Sequence, residues 1–219
     1  MHKIKELFNL EKTMAAEYLG KFDYPWEAVS DISEFIFSLG QNLDENEYYF
    51  LAEGVWVHKS AKVAPSACIG APCIIGKDSE VRHCAFIRSS ALIGESCVIG
   101  NSTEIKNALL FDGVQVPHFN YIGDSILGFK AHFGAGAVTS NVKSDRSKVT
   151  VKAPDSIIET GLIKLGAFIG DYAEIGCNAV LNPGTVIGKN TSVYPLTSLR
   201  GVYPADCIVK DQKTVVKRV

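Results

Sequence analysis

The chain has 219 residues, 47% of them apolar and 21% charged, enough for a sizeable core and too apolar for a disordered chain. Its net charge of −2 hides an asymmetry: residues 1–50 carry 10 acidic and 4 basic side chains, net −6, and the remainder carries 18 basic against 14 acidic, net +4. That mildly basic body suits small anionic ligands, lacks the dense basic stripe of a nucleic-acid binder, and nowhere holds the roughly 18 consecutive apolar residues of a membrane helix.

The opening MHKIKELFNLEKTMAAEYLG has no apolar run followed by a small-residue cleavage site, so a cytoplasmic protein is expected. Cys68, Cys73, Cys84, Cys97, Cys177 and Cys207 would be reduced there; none forms a C-x-x-C pair, and they read as small apolar fillers rather than zinc ligands. Residues 1–50 are predicted helical. In DYPWEAVSDISEFIFSLG, Trp26, Val29, Ile32, Ile36 and Leu39 fall at helical spacing, Asp23 is placed as an N-cap ahead of Pro25, and Gly40 as a stop. The apolar face of this helix is expected on the first coils of the domain C-terminal to it or on a neighbouring subunit, covering an open end of that domain.

From Val57 a six-residue period takes over. Val57, Val63, Ile69, Ile75, Val81, Ile87, Ile93, Ile99 and Ile105 keep an unbroken register, which resumes at Ile163, Ile169, Ile175, Leu181, Ile187, Val193 and Leu199. The next residue is often glycine, as at Gly70, Gly76, Gly94, Gly100, Gly123, Gly128, Gly134, Gly170, Gly176 and Gly188, which suggests corners needing backbone angles closed to other residues. Short strands with corners between them predict a mainly β fold, a left-handed parallel β-helix of hexapeptide repeats with about 18 residues per triangular coil. It occupies residues 51–206; residues 207–219 form a short basic tail.

Two segments interrupt the period and are read as external loops: residues 106–122, with His118 and Tyr121, and an inserted loop at 142–162, with Lys143, Arg146, Lys148 and Lys152 beside Asp145. Histidine titrates near neutral pH, so His118 is the candidate general base, the alternative being a surface histidine in a loop. His2, His58 and His83 read as structural.

The stretch FIRSSALIGESCVIGNSTEIKNALLFDGVQVPHFNYIGDSILGFKAHFGAGAVTSNV resembles the acetyltransferase domain of the bifunctional N-acetylglucosamine-1-phosphate uridyltransferase/glucosamine-1-phosphate acetyltransferases. The later ETGLIKLGAFIGDYAEIGCNAVLNPGTVIG is similar to the archaeal sugar-1-phosphate nucleotidylyltransferases that carry an amino-sugar acetyltransferase. The likeness runs from residue 55 to about 205, and VPHFNYIGD followed by HFGAGAVTSN is its most discriminating part.

It implies acyl transfer from acetyl-CoA to an amino-sugar phosphate without a metal, His118 taking the amine proton. Arg88, Lys106, Tyr121 and Asn141 match residues that hold the acceptor, and Gly134, Ala135 and Cys177 are assigned to the coenzyme side. His132 stands where the family has an asparagine, and Arg146 and Lys148 replace loop lysines by charge rather than by position; all three are taken as acceptor-side. The family's nucleotidyltransferase domain has no counterpart: residues 1–50 hold only Gly20 and Gly40 and no basic glycine-rich loop.

The resemblance further implies a homotrimer with sites between prisms, whose faces present small residues such as Ala108, Ala135 and Ala137. A separate nucleotidyltransferase is a possible partner; nucleic acid and membrane are not expected. Other readings keep the fold with a different acyl donor or O-acetylation, or take the chain as a non-catalytic sugar-nucleotide-binding or regulatory subunit.

Overall fold

In a computed structural model that describes residues 3–218, short strands coil around a three-sided prism behind an N-terminal run of short helices. The structural reading of His2 lies outside the described residues. Among them no helix is long and apolar enough to cross a membrane.

Strand register sets the geometry. Val57, Ile75 and Ile93 pair one above the other, as do Val63, Val81 and Ile99, and Ile69, Ile87 and Ile105. Three hexads therefore close one coil and the coils pair in parallel, giving the left-handed β-helix implied by the repeat. Ile87, Ile93 and Ile99 are wholly buried inside it and serve here to name its three faces.

Residues 106–122 are not an external loop, as expected from the broken period, but an ordinary coil. Leu110 follows Ile105 by five positions instead of six, and still pairs with Ile93 before it and Leu127 after it. Deleting one residue shifts every later hexad without opening the coil, because the ladder re-forms at the next strand. The true insertion separates Thr139 on the Ile87 face from Ile169 on the Ile93 face, with an isolated bridge between Val142 and Lys164 at its base. Ile163 belongs to this excursion and is 52% exposed, so the register resumes at Ile169.

The Ile93 face is buried on both sides. Outward-facing Ile74, Leu92, Leu109, Ile126, Phe168 and Val186 are as buried as their inward neighbours. Strands covered on both sides read as continuous apolar runs, here CII, AFI and TVI. Two covers lie on this face. The hairpin Thr150–Ala153 and Ser156–Glu159 packs over the later coils. The N-terminal segment runs lengthwise over the earlier ones, with Phe8 against Phe111 and Trp26 against Phe168. Its backbone is tied to coil corners: Asp171 N–H donates to Leu7 carbonyl at 3.0 Å and Asp112 N–H to Lys12 carbonyl at 3.1 Å.

The segment thus straps a flank rather than capping an end, its apolar residues packing on the apolar outer side of the Ile93 face. Strands close the ends instead: Tyr48–Ala52 pairs antiparallel with Val55–His58, and Val215–Lys217 in the basic tail pairs antiparallel with Cys207–Val209. Ala108 and Ala137 are buried within the chain and offer no surface to a subunit; Ala135 is half-buried.

Two local expectations are also corrected. Pro25–Asp31 is a 3₁₀ turn capped by Tyr24, followed by the α-helix Ile32–Gly40; Asp23 pairs with Lys3 instead, and Glu27 accepts from the Tyr24 and Asp23 amides. The helix does end at Gly40, where a Cβ would overlap the Trp56 indole.

The recurrent corner glycines do not adopt positive φ. That conformation falls two residues later, at Asp78, Ser96, Ser102, Lys130, Tyr172, Asn178 and Asn190. The glycine is needed because the next coil crosses above it: a Cβ on Gly100 would overlap the Pro117 backbone.

Candidate active site

The Ile87 and Ile99 faces remain open, and the candidate residues lie on them and on the corner between. Strand Gln115–His118 ends the Ile99 face, Phe119 turns the corner at φ 52 with 61% of its surface exposed, and strand Tyr121–Leu127 begins the Ile87 face. The corner repeats in each coil and forms a column. His118 carbonyl accepts from Gly136 N–H at 3.0 Å, Ala135 carbonyl from Asn178 N–H at 2.9 Å, and Cys177 carbonyl from Leu196 N–H at 2.9 Å. His118, Ala135 and Cys177 are therefore vertical neighbours. Gly134 fits beneath Cys177 because it lacks a Cβ. The His118 ring is exposed and makes no hydrogen bond among the described residues; its own amide is held by Asn120 Oδ1 at 3.1 Å.

Around this corner, the outer side of the Ile87 face gathers Arg88, Lys106, Tyr121 and Asn141 from four coils. Gly123 pairs with Lys106 and Tyr121 with Glu104, so coil stacking alone makes neighbours of residues far apart in sequence. The Tyr121 ring lies over Gly123, with its Oη 3.1 Å from Asn141 Nδ2. Burial, with the Asp124 and Glu104 carboxylates adding to it, pushes the Tyr121 phenol above its ordinary value, so the hydroxyl stays protonated at neutral pH.

Two carboxylates escaped the sequence reading. Glu104 Oε1 accepts from Arg88 at 2.9 Å, and Asp124 accepts from Lys106 Nζ at 2.9 Å. Both cations are thereby paired, and the cluster is nearly neutral. The signal for Asp124 was within VPHFNYIGD; its meaning depends on Lys106 lying one coil below.

The remaining candidates lie elsewhere. His132 is on the outer side of the Ile99 face, its Nδ1 2.7 Å from Glu174, in a groove of about 500 Å³ lined also by Gln115, Lys130 and Tyr172. It has no hydrogen bond to the Asp124 cluster. Arg146 and Lys148 are exposed in the excursion, where Lys143 pairs with Asp145 and bonds Ser147. Among the described residues no three His, Cys, Asp or Glu side chains are grouped to hold a metal ion.

No protein-family model matches the chain. It is 30% identical over 196 residues to the bifunctional protein GlmU of Methanococcus maripaludis, an alignment covering 87% of this chain and 47% of that protein. It is 37% identical over 90 residues to a bifunctional sugar-1-phosphate nucleotidylyltransferase/acetyltransferase of Sulfurisphaera tokodaii, covering 41% of this chain and 22% of the relative. The chain thus spans about half or less of the length of these curated relatives. Among solved structures, the acetyltransferase domain of PglB from Neisseria gonorrhoeae in complex with acetyl coenzyme A aligns over 75% of this chain and 57% of its own, at 18% identity and a TM-score of 0.35.

Proposed function

We propose that this relative of the acetyltransferase-bearing sugar-1-phosphate nucleotidylyltransferases is an acetyl-CoA-dependent N-acetyltransferase acting on an amino-sugar phosphate, with His118 as general base. One observation carries the reading: the corner column of His118, Ala135 and Cys177 adjoins the face that bears Arg88, Lys106, Tyr121 and Asn141. A base and a coenzyme track along one edge of the prism then border the face that carries the acceptor platform.

The thioester lies along the column, past Gly134, Ala135 and Cys177. The Ala135 N–H has no backbone partner among the described residues and is free to donate to a carbonyl oxygen there. The acceptor amine attacks the acetyl carbonyl while His118 removes its proton. The tetrahedral intermediate then breaks its C–S bond, and the coenzyme A thiolate recovers the proton from His118. Arg88 and Lys106 hold the phosphate, and the neutral Tyr121 hydroxyl and Asn141 amide take sugar oxygens. His132, Arg146 and Lys148 reach an acceptor only if a second copy brings them there, which fits sites shared in a homotrimer. In a cytoplasmic setting, activation of the sugar by a nucleotide would fall to a separate nucleotidyltransferase.

Thiol release from acetyl-CoA with a panel of amino-sugar phosphates tests this. Release is expected with at least one acceptor, and His118→Ala is expected to lower it by about two to four decades. Folded protein that releases no thiol with any acceptor would instead support a non-catalytic sugar-nucleotide-binding subunit, and release unaffected by the substitution would remove His118 from the chemistry.

A further inference from the structure

We infer that Asp124 is the positioning residue of the acceptor platform, and that through Asn107 it ties the platform to the N-terminal strap. The inference rests on the function proposed above for Lys106 and Asn141. Asp124 stands at the corner where the Ile87 face turns into the Ile93 face, at φ 50, and its side chain is 4% exposed. Three donors converge on its carboxylate: Lys106 Nζ at 2.9 and 3.2 Å, Asn107 Nδ2 at 2.9 Å, and Asn141 Nδ2. Asn141 also reaches Tyr121 Oη. Of the four residues gathered on the Ile87 face, two are therefore held by Asp124 directly and a third at one remove.

Burying a carboxylate this deeply is costly unless it is paired, and one ammonium with two amides pairs it here. Burial also keeps Asp124 from touching a ligand, so it acts by aiming Lys106, whose side chain is 21% exposed and keeps a hydrogen for an anion outside. The Asn107 amide has two hydrogens. One goes to Asp124; the other goes to the Val29 carbonyl of the 3₁₀ turn at 3.2 Å. Asn107 occupies the equivalent corner one coil below, at φ 50, which asparagine tolerates well. Asn107 thus hydrogen-bonds the strap that covers the Ile93 face to the platform.

Two variants and two readouts test this. Asp124→Asn keeps the shape and removes the charge; Asn107→Gly keeps the positive φ accessible and removes the bridge. Reductive methylation of each lysine, followed by mass spectrometry, reports how firmly Lys106 is held, with exposed Lys62 as internal standard. Steady-state kinetics report the acceptor and acetyl-CoA KM values separately. Expected for Asp124→Asn are faster Lys106 methylation and an acceptor KM raised about ten- to a hundredfold, the acetyl-CoA KM unchanged. Asn107→Gly is expected to shift both the same way by less.

Faster methylation with an unchanged acceptor KM would reduce Asp124 to a fold staple, and unchanged methylation would overturn the inference whatever the KM. A rise in both KM values together with a lowered melting temperature would likewise overturn it. If the unaltered protein acetylates nothing, the proposed function fails separately, and the methylation rates still decide whether Asp124 holds Lys106.

Discussion

Cys177 shows what one residue gains from its place. Burial pushes the Cys73 and Cys97 thiols up to about 12, whereas Cys68, Cys84 and Cys177 are exposed. The thiolate is the reactive form, so at neutral pH the buried thiols are inert. An alkylating reagent is expected to modify Cys68, Cys84 and Cys177 in the folded protein, and Cys73, Cys97 and Cys207 only after unfolding, as read by peptide mass spectrometry. Coenzyme A is expected to slow modification of Cys177 and to leave Cys68 unchanged; equal rates with and without it would take Cys177 off the coenzyme track. His118 was legible at this scale because its motif is contiguous. Asp124 was not, since its partners Lys106 and Asn141 lie a full coil away on either side.

Elements were legible where a period governs them and misread where a neighbour does. The aliphatic hexads dictated the strands. Gly40 does end its helix, but the requirement for glycine there comes from Trp56, itself 3% exposed, which a Cβ would overlap. In an exposed helix Gly→Ala stabilises by about 1 kcal/mol through propensity. Here the added methyl meets a fixed indole, and overpacking of about 1–3 kcal/mol outweighs that gain. Gly40→Ala is therefore expected to lower the denaturation midpoint in urea, with the slope unchanged; a stabilised variant would mean that the helix and Trp56 are not in tight contact. The stretch at 106–122 was misread for a related reason: one missing residue and a long insertion break a sequence period equally, and only strand pairing tells them apart.

The prism as a whole has one face closed by its own chain and two left open. The N-terminal strap and the 150–159 hairpin bury the Ile93 face and leave the Ile87 and Ile99 faces and the His118 corner as the uncovered sides of the β-helix. Those are the surfaces that carry the candidate site. Under the function proposed here a closed threefold ring is expected. Sedimentation equilibrium is expected to give three times the 23.7 kDa chain mass, for the unaltered protein and for His118→Ala alike. A fully active monomer would exclude sites shared between copies.

The sequence by itself determined the β-helix, its inward aliphatics and the histidine of its motif, because a coil's inside is specified by a short local period. Which face is covered, why the corner glycines are required and what Lys106 pairs with were decided only in three dimensions. Those contacts join residues a full coil or more apart, and their alignment depends on the number of residues in each coil, which strand pairing sets and hydropathy does not record.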